Sequence, residues 1–207
     1  MKQQENKLVA YFVRHGTTEG NENGVFRGPI DYPLDQKGMQ DAKSLKDYFA
    51  PIALGTAYSS DTQRARTTAE TVLEPKGMVA SETSDLRSWN VGYLAGLPKS
   101  EHQNDVDFFQ KHEATIVPNG ESLNQFRNRV QPRIKNSIMK GVSSGVPSIT
   151  FTHSSVIHEV SHMLHGDHMA VKVKPGGVVG VFKSGNKLTA KALYKPEIGK
   201  KNEKWGA

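Results

Sequence analysis

His15 stands between Arg14 and Gly16, directly after the apolar run at residues 8–13. A histidine with a cation on one side, and on the other a glycine that lets the backbone turn closely past a ligand, suits a nucleophile toward phosphorus. Arg-His-Gly alone is a weak signal, since a histidine at a strand end is more often structural than catalytic. The chain has no cysteine, so disulfides, thiolate zinc sites and a thiolate nucleophile are excluded together. A second constellation offers different chemistry. His158-Glu159-Val160-Ser161-His162 fits the His-Glu-x-x-His zinc pattern of metalloproteases, with His168 at the spacing of a third ligand. Against it, the glycine of the extended pattern would fall at His165, one place before Gly166.

The elements that must position these residues alternate along the chain. Residues 8–13 form a continuous run of strand formers, expected to be buried on both faces. Residues 146–152 form a second run, ending at His153, and residues 57–59 a third, ending near Asp61. Helical periodicity covers residues 38–49, then 62–73 behind Ser60 or Asp61 as N-cap. It returns at 122–139, with Pro132 bending the helix, and at 155–165, with Gly166 as the stop. Residues 177–182 and 188–194 read as a closing hairpin, and residues 88–118 as a long excursion over the site. The pattern predicts an α/β fold, a three-layer α/β/α sandwich with a mainly parallel central sheet. One domain covers residues 1–194, followed by a basic C-terminal tail at 195–207. Ligands of such sheets bind outside the carboxyl ends of the strands, where His15 and His153 fall.

Several sequence blocks now align in one order. Arg14-His15-Gly16-Thr17-Thr18 with Asn21 comes first, then Gly28 with Asp31-Tyr32-Pro33-Leu34 and Gly38. Tyr58-Ser59-Ser60-Asp61 follows, with Arg64-Ala65 and Thr68-Ala69. Pro118-Asn119-Gly120-Glu121-Ser122 with Arg129-Val130 precedes Thr152-His153 with Val156-Ile157. This series resembles the signatures of the histidine phosphatase superfamily, whose fold is phosphoglycerate mutase-like, over about residues 8–183. The resemblance implies His15 as the phosphorylated nucleophile, with Arg14, Arg64 and His153 forming the phosphate pocket and Asn21 as a further ligand. Flanking arginines disfavour the imidazolium and leave a ring nitrogen of His15 free, while their forks match phosphoryl oxygens. Gly16, Gly28 and Arg27 are expected at the substrate, Arg27 where the family has a neutral polar residue. Arg66 departs from the family pattern and is expected to face solvent.

The proton donor is where the pattern breaks. Members of this family place a glutamate after the stretch matching Asp85-Leu86-Arg87, and here that residue is Ser88. A second acidic position is Ala95, and Ser154 stands where another branch has an aspartate. General acid catalysis contributes about 100- to 10,000-fold, most for poor leaving groups. Asp85, Glu101, His102 or Asp105 could supply the proton instead; otherwise the substrate has a good leaving group, or the chain is a weak catalyst that binds phosphorylated ligands. The expectation is a phosphatase acting on a small anionic metabolite or a phosphoprotein, with no cofactor and no metal. A phosphoglycerate mutase-type phosphotransferase and the zinc protease are its rivals.

The formal charge of +6 and pI near 9.4 favour anionic partners. Much of the excess sits in the tail, on Lys195, Lys200, Lys201 and Lys204, so a nucleic-acid partner is not expected. No apolar run approaches the roughly 20 residues that span a bilayer, and the polar N-terminus lacks a secretory pattern. A cytoplasmic location is therefore expected, and a homo-oligomer stays open.

Overall fold

The computed structural model describes residues 6–196, so the expected tail lies outside the described residues apart from Lys195 and Pro196. The elements run β1 (Lys7–Arg14), α1 (Glu19–Glu22), α2 (Gln36–Phe49), β2 (Ala57–Ser60), α3 (Gln63–Leu73), β3 (Ser81–Thr83), α4 (Lys99–Lys111), α5 (Leu123–Ser144), β4 (Ser148–Thr152), α6 (Ser154–His165), β5 (Val178–Ser184) and β6 (Lys187–Tyr194). Strand order is β3-β2-β4-β1-β5-β6. The β1–β4, β2–β4 and β2–β3 pairs are parallel, and the hairpin β5–β6 joins antiparallel at β1.

The three-layer expectation holds because β1 is apolar on both faces. Ala10 and Phe12 pack with α5 and α6 through Val130, Ile134, Ile138, Val156 and Ile157. Tyr11 and Val13 point the other way, with Leu45 and Phe49 of α2 and Val72 and Leu73 of α3. Two hydrophobic cores therefore clamp the central strands, and the strand that ends beside His15 is fixed from both sides. Phe12 and Phe151 are wholly buried, one in each core, and truncating either to alanine is expected to cost about 3–5 kcal/mol.

Four details differ from the sequence reading. The excursion contains the helix α4, broken in its first turns at His102, whose backbone leaves the helical region. A short edge strand, β3, extends the sheet beyond β2. Thr62, rather than Ser60 or Asp61, is the N-cap of α3. The helix α5 continues through Pro132 to Ser144, and Ser122 caps its start by accepting from the Gln125 amide while the Gln125 side chain accepts from the Ser122 amide. No helix among the described residues is long and apolar enough to cross a membrane.

Candidate functional site

The parallel ladder of β1 and β4 extends one residue beyond β1, where the His15 amide donates to the Thr152 carbonyl at 3.0 Å. His15 is fully buried, and its Nδ1 lies 2.7 Å from the Gly16 carbonyl oxygen. A carbonyl only accepts, so this contact assigns the proton to Nδ1 and the lone pair to Nε2. Nε2 itself is buried with no hydrogen-bond partner in the protein. Burial, followed by the charges of Arg64, Arg14 and Arg27, holds the pKa well below the ordinary 6.5, with the Gly16 contact acting the other way. The ring is therefore neutral at physiological pH and presents a nucleophilic nitrogen.

His153 is the N-cap residue of α6, carried there by the end of β4. Its ring centroid lies 5.2 Å from that of His15. Nε2 is 3.0 Å from the Ser60 hydroxyl and 3.5 Å from that of Thr62, while Nδ1 is buried without a partner. A Ser60 hydroxyl donating to Nε2 leaves the proton on Nδ1, so His153 can donate into the pocket as a neutral ring. Its pKa too is held well below 6.5, by burial and then by Arg64.

Three arginines complete the cluster. Arg64 is fully buried in the first turn of α3; its Nη1 donates at 3.0 Å to the Ile30 carbonyl and to Asp31 Oδ1, but Nε and Nη2 are unpartnered. Arg14 donates through Nη1 to the Val173 carbonyl at 2.9 Å and keeps Nε free, and Arg27 keeps Nη1 free. Burial pulls the Arg14 pKa down to about 9 and that of Arg64 to about 10. Among the described residues seven buried side-chain atoms lack a partner, and six of them belong to Arg14, His15, Arg27, Arg64 and His153. An orphaned buried donor costs about 1–3 kcal/mol, more when charged. So many around one lone-pair nitrogen form a receptor for a polyanion with several acceptor oxygens, the shape of a phosphoryl group.

Gly16 serves packing rather than binding. A Cβ there would collide with the Gly38 carbonyl, and one on Gly38 with the Thr17 carbonyl, so loop and α2 touch backbone to backbone. The Gly16 amide donates to Thr68 Oγ1 at 3.2 Å and is not aimed at a ligand. Asp41 of α2 accepts from the Thr17 amide at 2.9 Å and hydroxyl at 2.7 Å. The Asn21 side-chain oxygen Oδ1 caps α1 by accepting from the Thr18 amide and hydroxyl; the residue lines a cavity of about 320 Å³ with Arg14, Lys37, Lys99 and Lys174. Burial, then Arg27 and Arg14, depress the Lys99 pKa to about 8.

Gly28 lines a separate cavity of about 350 Å³ with Asp31, Thr62, Asp85, Arg87, Ser88, Asn90, Glu121 and Arg129. Its φ of +48° is a left-handed conformation that favours glycine. Ser88 here meets only another hydroxyl, that of Ser155 at 3.0 Å. Arg129 holds the Ser88 backbone, donating to the carbonyls of Asp85, Arg87 and Ser88 at 2.8–3.0 Å while its other edge grips Glu121. Of the suggested acids, Asp85 reaches the cavity but is paired with Arg133 at 2.7 Å. Glu101 is exposed on α4, and His102 contacts Asp105 at 2.9 Å; none of these three lines the cavity, so the structure does not bring them to Ser88.

A model of the histidine phosphatase superfamily (branch 1) matches residues 10–172. The chain belongs to that superfamily. Among curated members, the 2,3-bisphosphoglycerate-dependent phosphoglycerate mutase of Bartonella henselae is 27% identical, covering 93% of this chain and 100% of the mutase. The solved structure of TTHB049 from Thermus thermophilus is 30% identical with a TM-score of 0.69, over 83% of this chain and 92% of that one. A mycobacterial glucosyl-3-phosphoglycerate phosphatase solved with VO3 shares the fold at a TM-score of 0.73 and 21% identity, over 90% and 97% of the two chains. The curated relative named above is a mutase, and a phosphatase is among the proteins that share the fold.

The zinc reading fails on geometry. Glu159 is buried beneath Arg127, which contacts it at 3.2 Å, and beneath Gln131 at 2.7 Å, so it has no oxygen free to act on water. His162 and His168 stack in parallel at 4.1 Å instead of converging, and His168 Nε2 accepts from Arg127 at 2.9 Å. Among the described residues no group of three or more His, Asp or Glu side chains is arranged to hold a metal. As expected, Arg66 is partly exposed, 3.9 Å from Glu82. Sequence reasoning missed Ser60, Asp31, Asp41 and the clamp role of Arg129. Ser60 and Asp31 lie inside the aligned blocks, which was the only signal available for them.

Proposed function

We propose that this chain is a phosphatase that works through a phosphohistidine on His15, acting on a small phosphorylated metabolite or a phosphoprotein. The observation that carries this reading is the set of six unpartnered buried nitrogens, His15 Nε2 among them. Nε2 attacks phosphorus in line with the leaving group, and Arg14, Arg27, Arg64 and His153 Nδ1 hold the equatorial oxygens as charge builds on them. In the second step water attacks the phosphohistidine, and His15 departs as the neutral ring that burial and the three arginines already favour. Hydrolysis is preferred over mutase chemistry because transfer between two hydroxyls needs proton handling in both directions, and Ser88 occupies the place where it would be done.

A second reading has its own observation. The cavity holding Arg14, Lys37, Lys99 and Lys174 collects more cations than carboxylates, which would suit a second anionic group such as that of a bisphosphoglycerate. One experiment separates the readings: label the chain with radioactive phosphate from acetyl phosphate, then chase with water or with 3-phosphoglycerate. Label on His15 that decays to inorganic phosphate at the same rate with and without acceptor supports the phosphatase. Faster loss of label into a bisphosphorylated product supports the mutase, and no label on His15 sinks both.

A further inference from the structure

A threonine at a helix N-cap ordinarily turns its hydroxyl onto the amides of the first turn, and Thr62 at the start of α3 does not. Asp31, from the loop before α2, does that work instead. One of its carboxylate oxygens accepts from the Gln63 amide at 2.8 Å, while the other accepts from Arg64 Nη1 at 3.0 Å. Asp31 thus aims Arg64 and frees the threonine together. Thr62 is only 7% exposed, and its hydroxyl has two long contacts, 3.4 Å to the Ser60 hydroxyl and 3.5 Å to His153 Nε2. That nitrogen already accepts from Ser60 at 3.0 Å. Bonds between hydroxyl oxygens are ordinarily about 2.7–2.8 Å long, so neither contact holds the Thr62 proton firmly. Thr62 also lines the cavity that contains Ser88, and it is the wall where that cavity meets His153. The other hydroxyl at hand, that of Ser88, is half-buried and sits at an ordinary 3.0 Å from Ser155.

We propose that Thr62 is a further catalytic residue, whose hydroxyl donates a hydrogen bond to the oxygen that leaves phosphorus; this rests on the phosphohistidine reading above, in which Ser88 marks the side of the departing group. As the bond from His15 Nε2 to phosphorus forms, the phosphorus–oxygen bond of the substrate breaks and its electron pair goes to the departing oxygen. Thr62 meets that pair and keeps its own proton. A buried donor already in place stabilises such a developing charge more than water does, because it acts at low dielectric and does not have to reorient. The departing oxygen then takes a proton from the water that attacks the phosphohistidine. The water oxygen bonds to phosphorus, the Nε2–P bond breaks, and its pair returns to His15. The products are the freed alcohol or phenol and inorganic phosphate, and Thr62 ends as it began. Its contribution grows with the charge left on the departing oxygen, so it is larger for phenolate than for nitrophenolate, whose charge is delocalised.

The test compares the full chain with Thr62→Val, which keeps the shape without the hydroxyl, and with Thr62→Ser, which keeps the hydroxyl. Three readouts are taken: kcat/KM on phenyl and 4-nitrophenyl phosphate, decay of the phosphoenzyme made from acetyl phosphate, and Tm. Thr62→Val is expected to lose about 10- to 100-fold on phenyl phosphate and no more than about threefold on 4-nitrophenyl phosphate, while Thr62→Ser stays near the parent on both. Phosphoenzyme decay should be the same in all three chains, since the departing group is gone by then, and so should Tm, since Asp31 caps α3. An equal loss on both esters with slower decay would make Thr62 a support for the His153 ring and overturns the proposal. So does a Thr62→Val chain as active as the parent, or one whose Tm alone drops by several degrees. No phosphoenzyme from acetyl phosphate in the parent chain overturns the phosphohistidine reading itself.

Discussion

The Ser60 hydroxyl lies 3.0 Å from His153 Nε2, on the side of the ring opposite the unpartnered Nδ1. A side chain from the end of β2 thus decides which nitrogen of the histidine capping α6 can donate to a phosphoryl oxygen. Replacing Ser60 by alanine removes that bias without touching His15. We expect Ser60→Ala to lower kcat/KM about tenfold, the equivalent of one hydrogen bond of roughly 1–1.5 kcal/mol. Threonine at the same position should restore most of it, and steady-state kinetics on any accepted substrate reads both.

Stability should fall as the medium is acidified. His15 and His153 are held neutral in the fold, below their ordinary value of 6.5, so beneath that value the unfolded chain binds protons that the folded one refuses. Their contribution is present above about pH 6.5 and is lost as pH falls from there toward the folded values. Thermal melts between about pH 8 and 5 should show Tm declining through this window, and His15→Gln should flatten the decline. An unchanged slope in that variant would rule out His15 as a source.

Vanadate and inorganic phosphate should stabilise the protein strongly, because they give partners to buried donors that have none. Binding at about a hundredfold over Kd is worth about 2.7 kcal/mol. Arg64→Met should abolish most of the shift, since it removes two of the six orphaned nitrogens. Differential scanning calorimetry with and without the anion provides the comparison.

Ser88→Glu supplies the carboxyl that the cavity lacks. We expect about a hundredfold gain on alkyl phosphates with little change on aryl phosphates. No gain on alkyl esters would mean that something other than a missing acid limits the enzyme.

Arg129→Ala should cost about 3 kcal/mol, because it leaves the Glu121 carboxylate and three backbone carbonyls without their partner. Lysine should not rescue it, having a single cationic centre in place of a planar fork. Chemical denaturation of the two variants measures the difference.

The layers and the nucleophile are more legible in the sequence than their supports. The run at 8–13 is apolar without alternation because both faces of β1 are covered, and that pattern survives in one dimension, whereas β4 alternates Ser and Thr with Ile and Phe and buries its hydroxyls against Ser137 and the Leu86 carbonyl. The helix α4 leaves no clear periodicity, since only Val106 and Phe109 along it are buried and His102 interrupts it. Arg27 could be placed near the substrate, but the burial of its Nη1 and its closeness to Arg64 are visible only in three dimensions. Asp31, Asp41 and Arg129 act across separations of 8 to 44 residues, mostly on backbone atoms, which leave no periodic trace. The zinc pattern misleads for a related reason: spacing along α6 is right, but Arg127 and Gln131 of α5 already claim its glutamate.

Arg129 grips Ser88 by its carbonyl and ignores its side chain. The backbone at that place is therefore held whatever residue occupies it, and the phosphate-holding nitrogens come from other segments of the chain. A single exchange here changes the groups offered to a departing oxygen while the Arg129 hold on the backbone and the nitrogens around phosphorus stay in place.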